Sequence, residues 1–133
     1  MTDSPNLQTV RALYAAFARR DQDAIRGIFA PDIEWNQMDG FPHGGRHVGA
    51  DAIFRNVFQG FREQWVDWQA VVTDYADAGE RIIAFGHYAG TFQQTGRPVR
   101  AGFAHVYTLR QGRITRFVQY TDTRRVAEAM GLA

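Results

Sequence analysis

Apolar and polar positions along the chain change period. From Leu7 to Phe17, the residues Leu7, Val10, Leu13, Tyr14 and Phe17 recur every three or four places, with Arg11 and Arg19 facing away. That is one face of an amphipathic helix. Ser4-Pro5 lies just ahead as a start signal: a capping hydroxyl, then a proline whose missing N–H costs nothing at the first helical position. Asp21 predicts the cap of a second, short helix carrying Ile25, Ile28 and Phe29. Pro31 is expected to end it, because the residue before a proline avoids helical dihedrals. A third helix starts at Asp51, with Ile53, Phe54, Val57, Phe58 and Phe61 as its core stripe. Gly60 and the residues up to Trp65 close it.

Elsewhere the period is two. Ile33 to Met38 reads as a strand with Ile33, Trp35 and Gln37 on one face. Asp39 to Gly49, with four glycines and a proline, reads as a loop. Strands are predicted over 65–76, 81–93, 99–110 and 113–121. The turns between them are Asp77-Ala78-Gly79, Thr95-Gly96-Arg97-Pro98 and Gln111-Gly112. Asp122 or Thr123 caps a last short helix with Val126, Ala127 and Met130, stopped by Gly131. Consecutive strands with tight turns pair antiparallel, and the early helices must cover one face of their sheet. The expectation is an α+β domain over 1–133. In it a cone-shaped, strongly curved, mostly antiparallel sheet wraps over three N-terminal helices, with a short C-terminal helix.

Composition narrows the chemistry. Cysteine is absent, the only serine is Ser4, and all 15 basic residues are arginine. Disulfides, thiolate or serine nucleophiles and lysine Schiff bases are thereby removed. Fifteen basic residues against 14 acidic ones leave no excess for nucleic acid. No apolar run approaches a membrane span and no signal pattern opens the chain, so a soluble, cytoplasmic protein is expected. What remains is His, Asp, Glu, Tyr and Arg chemistry. No cofactor or metal is expected: His43 and His47, four apart, would align as ligands only on a helix, and their loop is not one.

The candidate site lies in Phe103–Thr123. Phe103, His105, Tyr107 and Leu109 share one strand face; Phe117, Gln119 and Thr121 share the neighbouring one. His105 and Gln119 among aromatics describe a polar spot on the floor of an apolar pocket. His105 is the candidate catalytic residue, as a base or a hydrogen-bonding imidazole, or else a buried histidine satisfied by neighbours. Gln119 and Gln37 either orient a ligand or plug the core. Trp35 and Tyr14 line the cavity or fill it. Tyr88 alternates with Gly86 and Gly90, which leaves room beside it for a ligand. His43 belongs to the rim, and Phe103 to the pocket wall. On the outer face, Val106, Val118 and Tyr120 suit a homodimer.

Three stretches carry a resemblance: YAAFARRDQDAIRGIFAPDIEW, HVGADAIFRNVF and FAHVYTLRQGRITRFVQYTDT. Together they resemble the nuclear transport factor 2-like superfamily, in its SnoaL-like, ketosteroid-isomerase-related branch. The resemblance implies the cone fold and, at His105, the histidine that polyketide cyclases place on the penultimate strand. Their catalytic aspartate falls at Gln119. The ketosteroid isomerase base falls at Gln37, its helix-one tyrosine at Leu13 or Tyr14, and its oxyanion-side aspartate at or next to His105. The Asp-Arg-Asp set of the epoxide hydrolases falls at Gly86, Tyr88 and Gln119. Two readings follow. One is an acid–base isomerase, cyclase or hydrolase acting on an apolar, carbonyl-bearing small molecule. The other is a non-catalytic ligand-binding or dimerisation domain. An open cone with His105 and Gln119 turned inward favours the first; a filled cone with both paired internally favours the second.

Overall fold

The computed structural model describes residues 3–133. Helices α1 (Pro5–Ala18) and α2 (Gln22–Ile28) precede β1 (Phe29–Gln37) and β2 (Gly45–Val48). Then come α3 (Ala50–Ile53), a π-helical turn (Phe54–Phe58) and α4 (Gln59–Gln64). The long strands β3 (Trp65–Ala78), β4 (Arg81–Phe92), β5 (Pro98–Arg110) and β6 (Arg113–Thr121) follow, and α5 (Thr123–Ala129) ends the chain. The six strands form one sheet in the order β2-β1-β6-β5-β4-β3. All neighbours are antiparallel except β1 and β6, which run parallel. This is the expected α+β cone.

The helix starts follow their sequence signals. Ser4 Oγ accepts from the Leu7 N–H at 3.1 Å, and it donates to Asp77 at 2.5 Å, tying the start of α1 to the end of β3. Leu7, Val10, Leu13 and Ala16 are the buried face of α1. Asp21 accepts from Ala24 N–H at 3.0 Å, and Asp122 from Arg125 N–H at 3.2 Å.

Three local expectations are corrected. Pro31 does not end α2 but lies inside β1, which begins at Phe29. Phe29 and Ala30 are buried, and Phe29 pairs with Ile114 before the register shifts on the way to Glu34. A proline, having no N–H for a ladder, is tolerated at such an irregularity. The Asp39–Gly49 loop contains β2, which pairs with β1 from Glu34 to Gln37 and shields its edge. The third helix is continuous but contains the π turn, closed by the Gln59 N–H donating to the Phe54 carbonyl. The extra residue per turn widens the apolar face: Ile53 and Val57 enter the core, while Phe54 and Phe58 remain half-buried.

The pairing of β3 with β4 is broken by irregularities between Val66 and Gln69 and between Val72 and Asp74. Bulges bend a strand and increase its twist. Gly86 and Gly90 on β4 face these breaks. A Cβ on Gly86 would lie 1.9 Å from the Val71 carbonyl oxygen, and one on Gly90 would lie 3.2 Å from Trp68 Cα. The space beside Tyr88 is therefore filled by the backbone of β3, not left for a ligand as expected.

Candidate functional site: a tyrosine–histidine chain under an open cavity

The concave sheet face and the helices enclose a cavity of about 560 Å³, within the usual ligand range. Phe54, Val57 and Phe58 wall it from the helix side; Trp35, Tyr88 and Phe117 wall it from the sheet. Trp35 and Phe117 stack on each other at 3.8 Å.

Five side chains at the floor form one hydrogen-bonded chain. Tyr107 Oη donates to Tyr14 Oη at 2.8 Å. Tyr14 Oη lies 2.6 Å from His105 Nδ1, and Tyr88 Oη lies 2.5 Å from His105 Nε2. Gln119 Nε2 donates to Tyr88 Oη at 2.7 Å, while Gln119 Oε1 accepts from Met38 N–H at 3.0 Å. The strand register brings them together: His105 is directly opposite Gln119 on β6. Tyr88 reaches in from β4 and Tyr14 from α1. Phe103 stacks behind the imidazole at 3.8 Å and 6°, fixing its plane.

Burial pushes the His105 pKa down to about 3, so the imidazole is neutral and carries one N–H. Tyr14, Tyr88 and Tyr107 are all pushed up by burial and stay protonated. The protons can then be counted. Tyr107 donates inward at one end and Gln119 at the other. Between them, Tyr14, His105 and Tyr88 hold three protons for two hydrogen bonds. One hydroxyl proton is left over, on Tyr14 or on Tyr88. Both tyrosines line the cavity, but Tyr88 is buried whereas Tyr14 is half-buried. An unpaired buried O–H is costly. The lower-energy arrangement is Nδ1–H donating to Tyr14, Tyr88 donating to Nε2, and the Tyr14 O–H free toward the cavity.

Of the residues singled out in the sequence, Tyr14, Trp35, Gln37, Tyr88, His105 and Gln119 line the cavity. Gln37 is satisfied within the protein: its Oε1 accepts from Trp35 Nε1 at 3.0 Å, and its Nε2 donates to the Pro42 carbonyl at 3.4 Å. Phe103 sits behind His105 and outside the cavity wall. His43 is also off the wall, edge-on to Phe61 and against Gly60, where a Cβ would fall 2.2 Å from its Nε2. His47 bonds the His43 carbonyl at 2.9 Å. Among the described residues, no three His, Asp or Glu side chains converge as metal ligands would. The two expected outcomes are thus combined: the cone is open, yet His105 and Gln119 are paired internally.

Sequence reasoning missed the charged rim. Arg20 and Arg62 are the cations of the cavity wall and Asp67 its one carboxylate. Arg20 (φ 56) and Asp67 (φ 54) have left-handed backbones. Arg20 follows α1, with its N–H donating to the Phe17 carbonyl at 3.1 Å and Asp21 N–H to Ala16 at 3.0 Å, a closure that usually carries glycine. Asp67 lies in the first bulge of β3. One signal was available: Trp65 and Trp68, three apart, do not fit a period of two. Trp65 Nε1 is buried without a hydrogen-bond partner among the described residues.

Comparison with known proteins agrees with this architecture. The SnoaL-like domain family matches residues 10–117, and the chain belongs to that family. A nuclear transport factor 2-like protein from Burkholderia thailandensis is 40% identical, with a TM-score of 0.91 over 97% of this chain and 98% of that one. A nuclear transport factor 2-like protein of unknown function from Burkholderia pseudomallei is 29% identical, with a TM-score of 0.87 over 96% and 98%. TerC, co-crystallised with polyporic acid, is 27% identical, with a TM-score of 0.87 over 96% and 99%. A search of curated proteins found no match to this chain.

Proposed function

We propose that the protein binds an apolar, carbonyl-bearing small molecule in the cone and polarises its oxygen through Tyr14. The observation that carries this is the position of the Tyr14 hydroxyl, between His105 Nδ1 and the Tyr107 hydroxyl on the wall of an aromatic cavity of about 560 Å³, where the proton count leaves it one O–H to give. A fixed donor aimed at a carbonyl oxygen also stabilises the enolate or tetrahedral oxyanion that forms from it. Turnover at this site is therefore electrophilic, of the isomerase or cyclase kind. His105 is neutral with both nitrogens engaged, so no lone pair is free to take a substrate proton. It acts as a positioning residue that fixes the direction of the chain. The co-crystal of TerC with polyporic acid supports a small-molecule role for this cavity. Native mass spectrometry of freshly purified protein is expected to show a bound small molecule. Tyr14→Phe is expected to lose it and to abolish turnover of any ketosteroid or cyclisable polyketide the protein accepts. Unchanged binding in Tyr14→Phe refutes the assignment. Binding without turnover across that panel makes it a non-catalytic ligand-binding domain.

A second reading concerns the outer sheet face, where Tyr120 and Phe85 are exposed on either side of Ala104, with Val106, Val118 and Ile83 adjoining by register. This contiguous apolar strip supports a homodimer. Sedimentation equilibrium is expected to give a dimer, and Tyr120→Arg a monomer; a wild-type monomer at high concentration refutes it.

A further inference from the structure

The cavity floor carries no charge, since His105 is neutral and the tyrosines and glutamines do not ionise. Its rim is different. Arg20, Arg62 and the single carboxylate of Asp67 line the cavity and are exposed to solvent, and none of the three has an ion-pair partner within 4.0 Å among the described residues. Other arginines without a carboxylate partner among the described residues, such as Arg55, Arg81, Arg100 and Arg113, lie off the cavity wall; what sets Arg20 and Arg62 apart is that they are both unpaired and on it. Arg20 and Asp67 are also two of only four non-glycine residues with left-handed backbone among the described residues. The third, Gln111, occupies a hairpin turn, and the fourth, His43, lies in the Asp39–Gly49 loop. Strained backbone of this kind clusters at active sites and ligand clamps. At the end of α1 a glycine would meet the backbone requirement at no steric cost, yet the position holds an arginine.

We infer that the rim selects a carboxylate: the ligand is an apolar ketone acid, its carbonyl at Tyr14 and its carboxylate held at the mouth by the Arg20 and Arg62 guanidiniums. This rests on the carbonyl-binding reading above. Two guanidiniums against one carboxylate leave the rim net positive. Guanidinium also presents paired N–H donors matched to the two oxygens of a carboxylate. Asp67 sets an upper limit on the preference: it repels the same group and disfavours dianions.

The test uses three probes with one skeleton: 4-benzoylbenzoate, its methyl ester, and 4-benzoylbenzylamine. Each is titrated calorimetrically into the intact protein at pH 7.5 and two salt concentrations. The acid is expected to bind about tenfold more tightly than the ester, with the amine weakest, and the acid's advantage is expected to shrink at high salt. Arg62→Gln and Arg20→Gly are each expected to cut the acid-to-ester ratio by about threefold to fivefold, and Asp67→Asn to raise it. Arg20→Gly separates the roles, because glycine suits the left-handed backbone: its melting temperature is expected to hold or rise while the ratio falls. Equal binding of acid and ester, or a ratio unmoved in both arginine variants, overturns the rim assignment and leaves the Tyr14 reading standing. No binding by any of the three probes overturns both.

Discussion

Stability should report the neutral state of His105 directly. Its folded pKa of about 3 lies below the 6.5 of a free imidazole. Between those values the unfolded chain binds the extra proton and the folded one does not. Stability from this residue is therefore complete above pH 6.5 and falls as the pH drops toward 3. The size depends mainly on the unfolded state. At pH 7.5 the unfolded chain gains RT ln(1 + 10⁻¹), about 0.1 kcal/mol, and at pH 5 it gains RT ln(1 + 10^1.5), about 2 kcal/mol. The loss is thus about 2 kcal/mol across this range, approaching about 1.4 kcal/mol per pH unit at its steepest. Urea unfolding followed by tryptophan fluorescence at pH 5, 6 and 7.5 measures it. His43 is also pushed down, by partial burial and the nearby His47, and adds to the wild-type slope. His105→Gln isolates the buried contribution, whatever the variant's absolute stability. Asp21 and Asp77, held low by their hydrogen bonds, lose stability only at lower pH, outside the range. An unchanged pH slope in His105→Gln refutes the neutral, buried imidazole and, with it, the proton count at the floor.

Other expectations follow from the same geometry. A ligand oxygen on Tyr14 should lock His105 as the Nδ1–H tautomer; imidazole nitrogen NMR showing Nε2–H in the complex would move the free donor to Tyr88. Gly86→Ala should cost about 1–3 kcal/mol, because its Cβ meets the backbone of β3 and not a side chain that can turn aside; thermal unfolding measures it. Phe117→Ala, removing the partner of the Trp35 stack, should cost about 3–5 kcal/mol in the same assay. Ser4→Ala loses both the cap and the tie to Asp77 and should cost about 1 kcal/mol.

Much of this site is legible in the residues themselves. Alternation placed Phe103, His105, Tyr107 and Leu109 on the inward face, and all four are buried. Ser4-Pro5 and Asp21 marked helix starts through chemistry local to a few residues. What could not be read has a common cause: it depends on contacts between distant segments. β2 has no apolar alternation to announce it; it is a strand because β1 has an edge to cover. Gly86 and Gly90 looked like space for a ligand, but bulges in a different strand occupy that space. Phe103 was assigned to the wall and His105 to the floor, yet the Phe103 ring is stacked behind the imidazole and only the histidine lines the cavity. The engagement of His105 on both nitrogens requires a helix and two strands to converge, and no spacing in the sequence encodes that.

The parallel pairing of β1 with β6 also governs the order of assembly. Asn36 Nδ2 donates to the Phe117 carbonyl across 81 residues of chain, and β6 is the strand that joins β1 and β2 to the rest of the sheet. During synthesis β2 can cover one edge of β1 early, but the other edge must wait for nearly the whole chain to emerge before it has a partner. Such distant pairings carry loop-closure entropy that makes folding slow. Until β6 arrives, the aromatic lining of the cone is exposed along two open edges. A nascent chain stalled before residue 113 therefore offers the cell an aggregation-prone half-cone.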